Sequence, residues 1–233
     1  LKGLAMRKLR SALTAAAIVL GVALVGGTFM LTDSITGAFD SIYKTVYVGT
    51  DATVTGRSAI DKGASGNTNN TTSNPSFSQS VLARVQRVPS VADATGGVAA
   101  SAQLVKDGKA ITFCVAPSLG FSVDPAKPGF NSLKLVSGRW PGPREVVIDT
   151  YTAAKKALRA GDLIGVQARG PQQRMRISGL VRFGSVSSLG GATLAGFQLA
   201  TAQRLFDKNG QFDSISDSAK AGVTPQQLVD QIR

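Results

Sequence analysis

The residues that could do chemistry are few in this 233-residue chain, and their types limit the reactions available. Histidine is absent and Cys114 is the single cysteine, so these residues contain no imidazole base, no Cys/His zinc site and no intrachain disulfide. The segment REVVID places Glu145, the one glutamate, four residues before Asp149. Because alternate residues of a strand share a face, the two carboxylates could form an acid–base pair, although we favour a solvated strand face.

Two further segments carry candidate chemistry. We interpret Cys114 as a small buried residue of a strand rather than a reactive thiol, because no histidine is available to activate it. Residues 185–191 (SVSSLGG) could cradle an anion, but they lack a lysine and a following long helix, so we interpret them as a flexible connection. The sequence contains neither a phosphate-binding loop nor a dinucleotide-binding fingerprint. We therefore expect no enzymatic activity, no cofactor and no metal site.

An excess of positive charge dominates the composition. The 26 lysine and arginine residues outnumber 14 acidic residues, and the formal net charge of +12 indicates an anionic neighbour such as nucleic acid or a membrane surface. Aromatic residues make up only 6% of the chain, which argues against base stacking and a nucleic-acid partner. Nine residues form a candidate basic surface for anionic lipid headgroups or an acidic partner, with an inert solvated surface as the favoured alternative. They are Arg139, Arg144, Lys155, Lys156, Arg159, Arg169, Arg174, Arg176 and Arg182.

An uncharged stretch near the N-terminus favours the membrane over nucleic acid. Residues 11–32 carry no charge and would extend about 33 Å as a helix, enough to span a hydrocarbon core of about 30 Å. The stretch is longer than the apolar part of a cleaved signal peptide, and it is apolar on all sides, unlike a buried core helix, so we predict a retained transmembrane helix. The positive-inside rule then places the basic segment 1–10 in the cytoplasm. This topology signal consists of Lys2, Arg7, Lys8 and Arg10.

The segments that follow complete the predicted domain organisation. A packing face of small residues on the membrane helix comprises Ala17, Gly21, Val25 and Thr28. Helical spacing of apolar residues predicts a helical stalk over residues 33–44. Residues 45–233 are then an extracytoplasmic domain, with a flexible loop at 58–78 because that segment is rich in Gly, Ser, Thr and Asn.

Strands and short helices alternate through residues 45–233, which is typical of an α+β fold. We predict helices over residues 77–88, 152–158 and 201–209, and a last helix that Thr224 caps and Pro225 begins. Asp107-Gly108 predicts a hairpin turn. The predicted strands are residues 46–55, 91–105, 110–116, 144–149, 163–168, 175–183, 191–199 and 212–218.

The order of several short motifs resembles that of MacB/FtsX-like ABC transporter permeases, above all actinobacterial-style members with a long extracytoplasmic loop. The resemblance begins with the basic N-terminus, the membrane segment and residues 31–35 (LTDSI), and it covers most of the chain except residues 58–78. The later motifs are residues 137–141 (SGRWP), 145–149 (EVVID), 160–162 (AGD), 177–181 (ISGLV) and 197–206 (FQLATAQRLF).

This resemblance implies the N-terminal portion of a cell-membrane permease: a membrane helix, an extracytoplasmic MacB-like core domain, and at least three further membrane helices beyond residue 233. Such a permease is surrounded by membrane lipid and works as a homodimer or paired permease. A separate cytoplasmic ABC ATPase subunit supplies ATP hydrolysis, which the permease couples to export or extracytoplasmic movement. The alternative is a stand-alone membrane-anchored binding or sensor module.

The membrane helix makes a direct prediction for Leu20→Arg. An arginine near the middle of a spanning helix costs about 3 kcal/mol of insertion free energy, so we expect membrane integration to be impaired. Membrane fractionation and a topology reporter measure this effect. An unchanged result from both would contradict a spanning helix.

Overall fold

The computed structural model describes residues 16, 18–23, 25–27, 49–57, 75–113 and 116–232. The chain forms two compact units, Leu1–Lys44 and Thr45–Arg233. In the first unit, residues 16, 18–23 and 25–27 are helical and exposed. No helix within the described ranges is both long enough and apolar enough to cross a membrane. The membrane helix therefore stays a prediction, and the basic segment 1–10 and the stalk lie outside the described residues.

The described part of the second unit is rich in strands with a few short helices. Its helices are α1 (Ser80–Val85), α2 (Thr150–Lys156), α3 (Leu199–Leu205) and α4 (Pro225–Ile232), with a 3-10 turn at Pro128–Phe130. Its strands are β1 (Ala52–Thr55), β2 (Phe77–Ser78), β3 (Val91–Gly97), β4 (Ala99–Ser101), β5 (Gln103–Lys106), β6 (Lys109–Ala110), β7 (Ser118–Val123), β8 (Leu133–Gly138), β9 (Glu145–Asp149), β10 (Leu163–Gln167), β11 (Gln173–Phe183), β12 (Thr193–Gln198), β13 (Gln211–Phe212) and β14 (Ser214–Ala219). The predicted α+β class is confirmed for this unit.

Two main sheets organise the domain. The small sheet has the antiparallel order β1-β14-β3. The large sheet has the order β4-β7-β12-β9-β11-β10-β5-β6, and β8 also pairs with β11. Within it, β7–β12 and β9–β11 are parallel pairs, whereas the other pairs are antiparallel. A two-stranded ribbon of β2 and β13 completes the described sheets.

Apolar residues are buried on both faces of the large sheet. Alternation along β9 directs Val146 and Ile148 into the main core and Val147 into a second cluster on the opposite face. The main core contains Phe197 and Phe206, whose rings meet edge to face with centroids 6.0 Å apart. Ile215 of the small sheet belongs to the same apolar cluster, so one continuous core connects the two sheets.

Several element boundaries differ from the sequence predictions. The predicted helix 77–88 shortens to Ser80–Val85, because Phe77 pairs with Phe212 in the β2–β13 ribbon. The predicted strand 91–105 is three strands. Of the predicted strand 110–116, Ala110 lies in β6, and the other described residues, 111–113 and 116, are not in a strand. The hairpin turn is confirmed, since Asp107 and Gly108 both have positive φ between β5 and β6. The last helix begins as predicted, with Gln227 N donating to Thr224 Oγ1 at 3.3 Å.

The continuous core predicts that residues 45–233 fold without the N-terminal unit. We expect the isolated segment to unfold cooperatively with neither metal nor reductant added, because its described part buries a full set of apolar side chains. Circular dichroism melts with and without a chelator measure this. A loss of structure on chelation would contradict the expectation.

Candidate functional site

The chain passes from the small sheet to the large sheet between β3 and β4. We call this region the junction; it comprises residues 97–99 and the side chains that contact them, which include Ser122 and Asp213. Val98 N donates to Ser122 Oγ at 3.0 Å, and Ser122 N donates to Val98 O at 2.9 Å. Asp213 N donates to Gly97 O at 2.9 Å. These hydrogen bonds satisfy the backbone where it leaves one ladder before entering the next.

An ion pair between Lys208 and Asp213, in the segment that precedes β14, reinforces the junction. Asp213 Oδ2 accepts hydrogen bonds from Ala99 N at 2.8 Å and from Lys208 Nζ at 2.6 Å. Lys208 Nζ also donates to Ala99 O at 2.9 Å, and Ser76 Oγ donates to Asp213 Oδ1 at 2.6 Å. The side chains of Lys208 and Asp213 are only 15% and 22% exposed, so this is a largely desolvated pair with its hydrogen bonds made.

A second ion pair bridges the junction from the loop after β7. Lys127 pairs with Asp93 of β3 and donates to Ala94 O at 2.8 Å. The hydrogen bond from Lys127 lowers the pKa of Asp93 below its ordinary value of 3.8. Thr95 Oγ1 adds a third link by donating to Asp124 at 3.1 Å. The contacts between the loop and the small sheet are therefore polar.

A cavity of about 120 Å³ lies in the junction between β3, β14 and β7. Its polar lining includes hydroxyl groups and Asn131; the hydroxyl groups belong to Thr95, Ser122, Ser132, Ser214 and Ser216. Gly97 borders the cavity, and a Cβ added there would meet Ser122 Oγ at an ordinary 3.6 Å. Gly96 differs, because a Cβ there would lie 2.2 Å from the Phe212 ring. The junction therefore has a packed apolar side and a roomier polar side.

The two carboxylates of REVVID lie in different environments and do not form an acid–base pair. Glu145 is half-buried and accepts from Arg139 Nη1 at 2.6 Å and Nη2 at 2.5 Å. This bidentate contact, with a hydrogen bond from Gly142 N, holds the pKa of Glu145 below its ordinary value. The arrangement makes Glu145 an ionised acceptor without a free proton to exchange near neutral pH.

Asp149 corrects the expectation of a solvated strand face, because its side chain is fully buried. Its Oδ2 accepts from Thr152 N at 2.7 Å and caps α2, while its Oδ1 accepts from Leu194 N of β12 at 2.9 Å. Burial raises the pKa of Asp149, and these backbone hydrogen bonds oppose that rise. Asp149 therefore joins β9, α2 and β12 as a structural residue.

The candidate basic surface is exposed in the structure except at Lys156, which is half-buried. On β11, Arg176 is the register partner of Glu145, and its Nη1 donates to Gly161 O at 3.0 Å. Lys155 lies over the Tyr151 ring and Lys156 over the Phe113 ring. Exposure alone does not identify a ligand, so binding at this surface stays a prediction.

The N-terminal predictions fall largely outside the described residues. This holds for Lys2, Arg7, Lys8, Arg10, Ala17 and Thr28, and also for Cys114. Gly21 and Val25 are helical and exposed. Residues 185–191 form the connection between β11 and β12, with short bridges at Phe183–Val186 and Leu189–Ala192.

Sequence reasoning missed the charged residues of the junction. Lys127 and Asp93 are 34 positions apart, and nothing in either segment indicates a pair. Lys208 and Asp213 are five apart, but an intervening turn and strand bring them together rather than helical spacing. Among the described residues, no cluster of three or more acidic, histidine or cysteine side chains could hold a metal ion.

Comparison with known proteins identifies the class to which this architecture belongs. The family model described as MacB-like periplasmic core domain matches residues 11–233. The chain therefore belongs to the family of MacB-like periplasmic core domains. Domains of this family are extracytoplasmic parts of ABC-type transporter permeases. No curated protein sequence matches the chain.

Two solved structures share the fold. The periplasmic region of MacB from Actinobacillus actinomycetemcomitans is 17% identical, with a TM-score of 0.53, and the match covers 83% of this chain and 86% of that one. The extracellular domain of the noncanonic ABC-type transporter YknZ from Gram-positive bacteria is 15% identical, with a TM-score of 0.50 and coverage of 77% and 86%. At these identities the similarity establishes the fold alone.

The Lys127–Asp93 pair makes a prediction with a defined pH dependence. We expect Lys127→Met to lower the free energy of unfolding by about 1 kcal/mol or less near neutral pH, because Asp93 is partly exposed. Since the pKa of Asp93 is lowered in the folded state, the contribution of the pair is complete above about pH 4 and disappears as the pH falls through the lowered pKa.

Urea unfolding of the wild type and Lys127→Met at several pH values measures this difference. Lys220→Met is the matched control, because Lys220 is exposed and its hydrogen bonds among the described residues are made by its backbone alone: Lys220 N donates to Ser90 O, and Lys220 O accepts from Val223 N. A Lys127→Met effect that equals the Lys220→Met effect, or that grows on acidification, would contradict the assignment.

Proposed function

We propose that this chain is the N-terminal portion of a permease subunit of an ABC-type transporter or mechanotransmission complex. The observation that carries the proposal is the family match over residues 11–233, which includes both sheets and the apolar N-terminal stretch. A cytoplasmic ABC ATPase subunit hydrolyses ATP, and this subunit couples the hydrolysis to export or extracytoplasmic movement. The lack of a phosphate-binding loop in the sequence supports that division of labour.

The proposed topology follows from the charge pattern. Residues 1–10 lie in the cytoplasm, residues 11–32 span the cell membrane, and the domain from residue 45 lies outside. The uncharged length of residues 11–32 and the four preceding basic residues support this arrangement. Pairing of two permeases and contact with membrane lipid belong to the same proposal.

The junction supplies the proposed mechanical element. A coupling domain must transmit displacement, and two sheets connected by short crossings and polar bridges can rotate slightly while each ladder stays intact. Gly97 lies at one crossing and borders the cavity, so the backbone there has space to change its dihedral angles. We propose that ATP-driven movement changes the angle between the small and large sheets at this point.

Copurification of the full-length protein with its ATPase tests the subunit assignment. We expect a stable complex whose ATP hydrolysis responds to the permease. A stop codon directly after Arg233, with no permease-like partner, would instead support a stand-alone binding or sensor module. Purification of the intact gene product without any ATPase would also contradict the proposal.

Gly97→Ala tests the mechanical element within that complex. The added Cβ has space, so we expect normal folding. Because alanine allows fewer backbone conformations than glycine at the crossing, we expect the permease-dependent rate of ATP hydrolysis to fall. Gly170→Ala is the matched control, because a Cβ there is likewise free of close contacts and Gly170 lies in the loop between β10 and β11. Equal rates for the two variants would rule out a hinge at Gly97.

A further inference from the structure

Asp217 is a carboxylate whose charge has no visible compensation. Its side chain is 0% exposed, and neither Oδ1 nor Oδ2 has a hydrogen-bond partner in the part of the chain that the structure describes. Asp149 is equally buried but accepts two backbone hydrogen bonds. A buried carboxylate without donors strongly disfavours its ionised form, so the two aspartates differ in what they can do.

The fold surrounds Asp217 with apolar groups. It lies on β14, the central strand of the small sheet, and its register partners on the flanking strands are Ala52 and Ala94. Alternation places Asp217 on the same face as Ile215, which is fully buried in the main core. That core also contains Val85 of α1 and Leu228 of α4. The carboxyl therefore points toward the layer between the small sheet and these two helices.

The charged groups on the neighbouring elements do not neutralise Asp217. The charge that acts on Asp217 is that of another acid, Asp51, which lies just before β1 and whose Oδ2 accepts from Ala219 N at 2.7 Å. On β3, Asp93 is already paired with Lys127. The charged residues of α1, α4 and the segments that follow α1 and β14 are all exposed at the surface. They are Arg84, Arg87, Lys220 and Asp230.

Burial, and next the charge of Asp51, raise the pKa of Asp217 to about 6. The ordinary value is 3.8, so the folded small sheet binds a proton that the unfolded chain releases over the mildly acidic range. The sign follows directly: the stability that the protonated carboxyl supports is complete below about pH 4 and is lost as the pH rises through about 6.

We propose that Asp217 is a pH-sensitive switch in the small sheet, closed when its carboxyl is protonated and loosened when it is ionised. The proton exchanges with water, and no other group changes its bonding. Ionisation draws water toward the layer between the small sheet and the helices, because the carboxylate then requires hydrogen bonds that its surroundings do not provide. Since β1 pairs with β14 and α4 contacts β1, both elements loosen together. This switch goes beyond the proposed permease function and does not depend on it.

Hydrogen exchange of the 233-residue chain in detergent tests the switch. We expect protection factors of amides in β1, β14 and α4, which already correct for the intrinsic pH dependence of exchange, to fall about tenfold between about pH 5 and about pH 7.5. That factor follows from a carboxyl pKa of about 6 in the closed sheet against 3.8 in the open one.

Asp217→Asn should abolish this pH dependence, because the amide stays neutral throughout. Asp149→Asn is the matched control: it alters an equally buried aspartate and should leave the pH dependence of β1, β14 and α4 intact. Unchanged pH dependence in Asp217→Asn would overturn the proposal. If that variant fails to fold, carboxyl-carbon NMR of the wild type decides directly: titration of Asp217 near pH 6 supports the switch, and titration near pH 4 overturns it.

Discussion

The domain depends on one constraint: the backbone must leave the small sheet and enter the large sheet without losing its hydrogen bonds. Between Gly97, which ends β3, and Ala99, which begins β4, the chain changes ladders at the buried Val98, and a buried donor or acceptor left unpaired there would carry an energetic penalty. Ser122 and Asp213 supply the missing partners, and Lys208 neutralises Asp213. The two-sheet architecture of this domain therefore relies on a few side chains at the junction.

Two buried aspartates have different roles because their hydrogen-bond partners differ. Asp149 has backbone donors from both sides and holds β9, α2 and β12 together. Asp217 has no donor among the described residues and lies between alanines. An aspartate side chain thus holds elements together in the large sheet, whereas in the small sheet its protonation state changes with pH under the proposal above. Placing the variable one in the small sheet leaves the large sheet as a stable reference.

Local patterns in the sequence predicted the α+β class, most strands and the turn at Asp107-Gly108, because alternation and turn chemistry are short-range properties. The crossing at Gly97 escaped prediction, since residues 91–105 have a composition suited to one long strand. Pairing of Lys127 with Asp93 also depends on tertiary contact. The sequence did contain a signal for Asp217. It lies two residues after Ile215 on the same strand, so both side chains lie on one face, and an acid beside a core residue is unusual.

The pairing of β1 with β14 has a consequence for how the domain is made. These strands lie about as far apart in sequence as the domain allows, so β1 must wait for almost all later residues to leave the ribosome. The parallel pairs of the large sheet add further long-range contacts, and such topologies fold slowly. Until β14 arrives, β1 has an unpaired edge, and the exposed Thr53 and Thr55 on its surface help to keep that waiting strand soluble.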